Sequence, residues 1–236
     1  MNPYMTALIK SQPLIRPSAP APTSPEEWQH LANLADGYSA AATKFNLQYE
    51  CTWAGLPVIQ TPQDLMVFQQ IYHEVVPSMV MCTGVAHGGL LAFFASLGTH
   101  ECDVIGFDID PRSEQMELLN LVNGEFGTIR VHKADTSDCL DLVKSLKSLT
   151  PPETNIMVVL DSCHTKEHVL KELDNFKEAV SPSSYMIVCD TVSTPDRGPM
   201  LAIEEWLPNN PEFVIDTTRN VIGWTCCTNG FLRRIR

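Results

Sequence analysis

From residue 78 to the end of the chain, continuous apolar stretches alternate with segments in which apolar residues recur every three or four positions. The stretches predict strands and the spaced segments predict helices. The predicted strands are Ser78–Met81, Cys102–Phe107, Thr128–Lys133, Asn155–Leu160, Tyr185–Val188, Phe213–Asp216 and Val221–Cys226. The predicted helices are Leu90–Leu97, Arg112–Val122, Asp138–Leu149, a segment with an apolar face from Val169 to Val180, and Met200–Leu207. This alternation indicates βαβ units: an α/β fold with a mostly parallel central sheet and helices on both faces.

The first 27 residues differ from the rest. Five prolines between Ser11 and Pro25 exclude a regular helix or a central strand, so residues 1–27 are predicted to be a flexible arm. The alternative is an arm that packs on a neighbouring subunit of a homo-oligomer. After it, the apolar positions Trp28, Leu31 and Leu34 have helical spacing, and residues 28–236 are predicted to form one domain.

The charge balance narrows the range of partners. The chain has 236 residues, with 16 Lys and Arg against 28 Asp and Glu, which gives a net charge of −12. An acidic protein repels phosphate backbones and anionic lipids, so neither a nucleic acid nor a membrane surface is an expected partner. A small-molecule substrate fits the composition better.

The cysteines and the N-terminus bear on the compartment. The eight cysteines include no CxxC pair, and several lie in apolar stretches where a free thiol packs as a small hydrophobe. The N-terminus has no continuous apolar segment of the secretory type. The uncharged stretch from Val75 to His100 is interrupted by proline and glycine, which is not typical of a membrane-spanning helix. A reduced, cytoplasmic protein is therefore expected.

Two features near the first predicted strands indicate a ligand. A glycine-rich segment, Thr83 to Gly89, follows the first strand, and glycine lets a backbone approach a ligand closely. Asp108 ends the second strand, where an acidic residue can bind ribose hydroxyls. The alternatives are a plain tight turn for the glycines and helix capping for the aspartate, while Asp110 is expected to cap or face solvent.

Three polar residues follow the fourth and fifth strands. Parallel sheets bind ligands at the carboxyl ends of their strands, so Asp161, His164 and Asp190 are expected to converge. Two carboxylates can hold a hard cation, and a histidine can accept a proton near neutral pH. The alternative is that Asp161 caps a helix and His164 is incidental, and His168 is expected to be exposed.

These residues lie within a longer series of motifs. Together they resemble the cephalosporin hydroxylase/cephamycin methyltransferase family, which is similar to the macrolide sugar O-methyltransferases, over about residues 48–236. The motifs are Cys51–Leu65, Thr83–Gly89, Asp108–Asp110, Asp161–Leu170, Asp190–Thr191 and Gly230–Arg234. The resemblance implies a Rossmann-like methyltransferase that uses S-adenosylmethionine (AdoMet).

The resemblance also implies residue roles. Asp161 and Asp190 would be metal ligands, and His164 would be the general base with Asp161 beside it. Asp108 would bind the AdoMet ribose. The other residues implied at the cofactor are Thr83, Gly84, His87, Gly88, Gly89, Ile109, Asp135, Thr136 and Asp161.

The chain departs from the family pattern at two cysteines. Cys82 and Cys189 stand where the family usually has glutamate. Mg²⁺ prefers oxygen ligands, and a thiol is a poor one. The expected cofactors are therefore AdoMet and Mg²⁺. Because of Cys189, the metal site could be weaker, prefer another metal or be lost, and the sequence leaves these three outcomes open.

The function that follows is methyl transfer from AdoMet to a hydroxyl of a small molecule, in natural-product biosynthesis. Removal of the hydroxyl proton needs a base, which gives His164 its role. The first alternative is a metal-free N- or carboxyl-methyltransferase, or another reaction steered by the positive charge of AdoMet, because a carboxylate acceptor needs neither base nor metal. The second is a non-catalytic subunit with the same fold.

Overall fold

The predicted alternation of strands and helices is present in the computed structural model of the chain. The structure describes residues 24–98, 102–112, 116–117, 119–120, 127–193, 196–219 and 225–236. Its strands are β1 (Thr52–Trp53), β2 (Leu56–Pro57), β3 (Met79–Thr83), β4 (Asp103–Asp108), β5 (Thr128–Lys133), β6 (Ile156–Leu160), β7 (Tyr185–Val188), β8 (Phe213–Ile215) and β9 (Phe231–Arg234). The first two strands form a separate antiparallel hairpin.

The other seven strands form one sheet in the order β5-β4-β3-β6-β7-β9-β8. Five of them run parallel, and β9 is antiparallel to both of its neighbours. The strand order reverses between β3 and β6, because β4 and β5 lie on one side of β3 while β6 and β7 lie on the other. In sheets of this kind ligands bind above such a switch point, at the carboxyl ends of the strands.

Helices cover both faces of the sheet. They are α1 (Pro25–Lys44), α2 (Pro62–Val75), α3 (Gly89–Leu97), α4 (Leu140–Leu149), α5 (Lys166–Phe176) and α6 (Gly198–Trp206). On one face, Phe68 of α2 and Phe94 of α3 are fully buried, and their rings stack. On the other face, α4, α5 and α6 contribute to a second core, in which Phe107 and Phe176 make an edge-to-face contact. No helix in the described residues is long and apolar enough to cross a membrane.

Most predicted elements agree with the structure to within one to three residues, but the C-terminal end does not. A strand was expected over Val221–Cys226. Residues 220–224 lie outside the described residues, and Cys226 belongs to a turn. The strand that closes the sheet is instead Phe231–Arg234, which inserts between β7 and β8. Of the predicted helix Arg112–Val122, residues 112, 116–117 and 119–120 are described; Arg112 is not helical, and the other four are.

Helix α2 was not predicted, and it is fixed by a buried aspartate. Thr61 caps its N-terminus and accepts a hydrogen bond from the backbone of Asp64. The Asp64 carboxylate is fully buried and accepts hydrogen bonds from Thr61 Oγ1, Thr225 Oγ1 and the Cys226 amide. Burial raises the pKa of Asp64, and these hydrogen bonds oppose that rise. Asp64 therefore ties the start of α2 to a turn 161 residues away.

The N-terminal arm can be tested by deletion. Helix α1 begins at Pro25, so the predicted arm boundary at residue 27 falls in its first turn. Ser24 and Glu27 cap that turn with two hydrogen bonds: the backbone amide of each residue donates to the side chain of the other. Removing residues 2–23 keeps this cap and is expected to shift the melting temperature by less than about 2 °C, under 1 kcal/mol. Calorimetry checks this, and a drop of about ten degrees would contradict it. That the chain forms a homo-oligomer stays a prediction. Gel filtration of the full-length and the deleted protein tests it.

Candidate active site

A cavity of about 430 Å³ opens at the carboxyl ends of the parallel strands. This volume lies within the range of small-molecule and cofactor sites. Its walls come from the loops that follow β3, β4, β5 and β6. They are Gly84, Ala86, Phe107, Asp108, Ile109, Asp135, Thr136, Asp161, Ser162, Cys163 and His168. Six of the residues expected at the cofactor are in this set.

Asp108 is placed at the cavity and is already engaged with the glycine loop. Its Oδ2 atom accepts a hydrogen bond from the Val85 amide at 2.8 Å, and the Ala86 amide lies at 3.4 Å. Its Oδ1 atom accepts one from the backbone of Asp110, whose own side chain faces solvent. Asp108 thus positions the loop after β3 as well as the cavity wall.

The glycines of that loop serve two different surfaces. Gly84 has φ +75° and lines the cavity, and a Cβ atom there would overlap the Asp161 carbonyl oxygen. Gly88 and Gly89 lie against other parts of the chain: a side chain on them would meet Leu119 and the Pro57 carbonyl. Neither of these two glycines is among the residues that form the cavity wall.

Thr83 and His87 also lie beside the cavity and not in its wall. Thr83 is fully buried, and its hydroxyl accepts a hydrogen bond from the Asp161 amide at 3.1 Å. This bond joins the ends of β3 and β6 across the switch point. The His87 ring is edge-on to the Tyr49 ring, with 6.3 Å between their centroids.

At the other end of the cavity is a buried polar network that the sequence analysis did not find. Ser162 donates to Glu172 at 2.6 Å, and Thr136 Oγ1 lies 2.9 Å from His168 Nε2. The expectation that His168 is exposed was wrong. Its side chain is 19% exposed, because Thr136, Ser162 and Glu172 surround its Nε2 atom. The neighbouring carboxylate of Glu172, 3.6 Å from Nε2, raises the pKa of His168.

The three residues expected to converge do so. His164 Nε2 lies 3.6 Å from Asp161 Oδ1 and 3.4 Å from Asp190 Oδ2. One ligand atom from each residue fits within 4.8 Å of the others. Asp190 reaches this position with a left-handed backbone, φ +56°, a conformation that aspartate tolerates better than most residues. Gln60, another residue that the sequence analysis missed, donates to Asp161 Oδ2 at 2.7 Å.

Burial and charge alter both ionisable partners in this cluster. Burial raises the pKa of Asp161 to about 6, although His164 and Gln60 act to lower it. Burial alone would lower the pKa of His164, but the neighbouring carboxylates of Asp161 and Asp190 raise it to about 9. The cluster therefore holds two carboxylates and one basic imidazole next to the cavity.

The donors in this cluster fit a divalent cation. Two carboxylate oxygens are hard ligands of the kind that Mg²⁺ and Mn²⁺ prefer. The Nε2 atom of His164 is buried and has no hydrogen-bond partner among the described residues. Asp161 and Asp190 are thus able to hold a cation, with His164 beside it.

Sequence comparison decides the family. A family model described as rhamnosyl O-methyltransferase/CmcI matches residues 45–235, which is most of the chain. The chain belongs to the rhamnosyl O-methyltransferase/CmcI family. Membership confirms the resemblance drawn from the motifs. It also confirms the predicted activity class: this member of the family is an AdoMet-dependent O-methyltransferase.

The relatives agree with this assignment. The rhamnosyl O-methyltransferase of Mycobacterium leprae (strain TN) is 27% identical over 201 residues, which cover 78% of this chain and 82% of that protein. The rhamnosyl O-methyltransferase of Mycobacterium tuberculosis (strain ATCC 25618 / H37Rv) is 28% identical over 203 residues, or 78% of each chain.

Two solved structures of CmcI resemble the fold. The structure with Mg and SAM is 22% identical, with a TM-score of 0.58, and the match covers 80% of this chain and 78% of that chain. The apo-structure is 19% identical, with a TM-score of 0.60 and coverage of 95% and 90%. At these identities the likeness bears on the fold alone, and it confirms the predicted Rossmann-like methyltransferase fold.

Cys82 and Cys189, the two cysteines expected to depart from the family pattern, are both buried. Cys82 lies in the middle of the sheet and packs in the core that contains α2 and α3. Cys189 belongs to the same core, next to Cys227, and this contact together with burial raises its pKa well above the usual range. Cys189 is therefore a neutral, packed thiol. The carboxylates of the cluster come from Asp161 and Asp190.

Proposed function

We propose that this enzyme methylates a hydroxyl group of a sugar carried by a small-molecule glycoside, with AdoMet as the methyl donor. The observation that carries the proposal is that the cavity and the acidic cluster share Asp161. A cofactor in the cavity would thus have its reactive end next to a base and two carboxylates. The names of the rhamnosyl O-methyltransferases that match the chain support a sugar as the acceptor.

The cavity suggests how AdoMet lies. We assign the ribose to Asp108, because a carboxylate at the end of the second parallel strand can accept hydrogen bonds from ribose hydroxyls. The adenine would then be held between Ile109, which is 65% exposed, and the Asp135–Thr136 segment. Gly84 and Asp161 would receive the methionine part. The negative charges there stabilise a cationic sulfonium.

A divalent cation would be held by Asp161 and Asp190. When bound, it polarises the acceptor hydroxyl and lowers its pKa. The protein's own contribution is to place these two carboxylates on the loops after β6 and β7, at the switch-point edge of the sheet. The two loops are joined by the 2.9 Å hydrogen bond from the Cys189 amide to the Leu160 carbonyl.

We assign His164 as the general base. Its Nε2 atom accepts the hydroxyl proton as the acceptor oxygen attacks the methyl carbon. The new oxygen–carbon bond forms while the sulfur–carbon bond breaks, and the bonding pair leaves with sulfur, which gives neutral S-adenosylhomocysteine. The enzyme accelerates this displacement by holding oxygen, carbon and sulfur in line.

The acceptor class can be tested with intact-mass measurements. The enzyme is incubated with AdoMet and Mg²⁺ and with three acceptor sets: rhamnosides and related deoxysugar glycosides, carboxylic acids, and amines. A methyl-sized mass gain on a glycoside, together with new resistance of a vicinal sugar diol to periodate cleavage, supports a sugar hydroxyl. A methyl-sized mass gain on a carboxylic acid or an amine, with no such gain on any glycoside, overturns the proposal.

The ribose assignment gives a separate prediction. Asp108→Ala is expected to weaken AdoMet binding by about 1.5–3 kcal/mol, the scale of hydrogen bonds to a charged group. Asp110→Ala is the matched control, because the Asp110 side chain is 80% exposed and holds nothing in the cavity wall. Calorimetric titration measures both affinities. Wild-type affinity in a folded Asp108→Ala variant would contradict the assignment.

A further inference from the structure

The segment between the N-terminal hairpin and α2 crosses the end of the active site. We call this segment, together with the last residue of β2 and the first turn of α2, the strap (residues 57–64). At its start, the backbone of Pro57 packs against Gly89, so closely that no side chain fits there. At its end, Asp64 bonds Thr225 and the Cys226 amide. The strap is therefore fixed at both ends, on two different parts of the sheet edge.

From this strap, Gln60 reaches the acidic cluster. Its amide nitrogen donates to Asp161 Oδ2 at 2.7 Å, which is a short and well-formed hydrogen bond. The other carboxylate oxygen, Oδ1, is the one that lies 3.6 Å from His164 Nε2. Gln60 thus occupies one oxygen of Asp161 and leaves the second directed at the cluster.

The backbone of Asp161 is also held. Its amide donates to the Thr83 hydroxyl, and its carbonyl lies against Gly84. These contacts fix the main chain of Asp161 but leave the rotation of its side chain free. Gln60 supplies the contact that fixes this rotation.

A neutral donor has a specific advantage at this position. A lysine or arginine would orient Asp161 equally well but would also cancel its charge. The Gln60 amide orients the carboxylate and keeps its full negative charge available to a cation.

We propose that Gln60 is a positioning residue, which orients Asp161 for cation binding and thereby for methyl transfer. This inference rests on the proposed function, because it takes Asp161 as a ligand of the cation. Removing a hydrogen-bond partner of a metal ligand typically lowers metal affinity or activity by about 10–100-fold. Loss of the Gln60 amide is expected to have an effect of this size.

The test compares Gln60→Met and Gln60→Asn with wild type. Methionine keeps the length of the side chain but cannot donate, and asparagine keeps the amide but is one methylene too short to reach Asp161. Gln63→Met is the matched control, since Gln63 lies three residues further along in the first turn of α2 and is partly buried, as Gln60 is. Mg²⁺ and Mn²⁺ affinities are measured by calorimetry, AdoMet affinity separately, and kcat and KM with a turned-over glycoside.

The expected result is cation binding about 10-fold or more weaker in both Gln60 variants, with unchanged AdoMet affinity and wild-type behaviour of Gln63→Met. Turnover should fall in kcat and not in the KM for AdoMet. Unchanged cation affinity in either folded variant overturns the inference, and so does joint loss of cation and AdoMet, which indicates a general disruption.

The inference and the proposed function fail in different ways. Wild-type protein that binds AdoMet but neither Mg²⁺ nor Mn²⁺ overturns the role of Gln60 and leaves methyl transfer standing. Wild-type protein that binds both and methylates no glycoside overturns the proposed acceptor, and the role of Gln60 in orienting Asp161 is still decided by the cation titration.

Discussion

Replacing His164 with alanine is expected to lower kcat by about 10²–10⁴-fold, the usual contribution of a general base. The reason is that His164 Nε2 lies next to Asp161 at the cavity and has no hydrogen-bond partner in the described residues, so the neutral form of the imidazole can take the proton of the acceptor hydroxyl. AdoMet binding should stay unchanged, because His164 is not in the cavity wall.

The same assignment fixes the direction of a pH effect. The pKa of His164 is raised to about 9, so the neutral imidazole that acts as base is the minor form at pH 7. In wild type, kcat/KM should therefore rise with pH above about 7, and the rise should end at a lower pH when a cation is bound, because the cation offsets the charges of Asp161 and Asp190 that raise the pKa of His164. The profile of His164→Ala should lose this rise.

The control for this experiment is His30→Ala, an exposed histidine on α1. It should keep both the rate and the profile of wild type. A fully active His164→Ala variant with an unaltered profile would remove the base from the mechanism and favour an acceptor that is already ionised.

Asp64→Ala is expected to lower the free energy of unfolding by about 3–5 kcal/mol, which is large for a single substitution. The variant leaves the Thr225 hydroxyl and the Cys226 amide buried without their acceptor, and each unsatisfied group costs about 1–3 kcal/mol. For a domain of this size, a loss of 3 kcal/mol corresponds to a melting temperature lower by about 6–12 °C.

Chemical denaturation with a constant m-value checks this prediction. Asp141→Ala is the matched control, because Asp141 also lies in the first turn of a helix but is exposed, so its removal should cost less than about 0.5 kcal/mol. An Asp64→Ala variant as stable as that control would show that the carboxylate is not what joins α2 to the C-terminal turn.

Sequence reasoning located the strand ends well, because a buried parallel strand is a continuous apolar run that stops at a polar residue. Asp161 follows β6 directly, and Cys189-Asp190 follows β7, so their meeting at one sheet edge follows from the parallel topology. Asp108 was located at the cavity for the same reason. Each of these aspartates ends or directly follows an apolar strand, so the local sequence is enough to place it.

The missed features depend on contacts between distant segments. The helical spacing of Phe68, Ile71 and Tyr72 after the Thr61 cap was a usable signal for α2. The burial of His168 was less visible, since it requires Glu172 on the same helix face together with Thr136 from another loop. Nothing local indicates that Gln60 meets a residue 101 positions away.

The predicted strand Val221–Cys226 is wrong at its described end. The segment is mostly apolar with high strand propensity, yet Cys226 lies in a turn and its amide donates a hydrogen bond to Asp64. The true closing strand, β9, contains Arg233 and Arg234 at its end, so its pattern looked less apolar. Tertiary pairing outweighs local propensity here.

The long separations around the strap also set the order in which the chain can fold. Contacts that close loops of 101 and 161 residues cost chain entropy before their hydrogen bonds can offset it, and such contacts slow folding. During synthesis Asp64 therefore lacks its buried partners until the Thr225–Cys226 turn, 161 residues further along, has been made, whereas the start of the strap can already pack against Gly89.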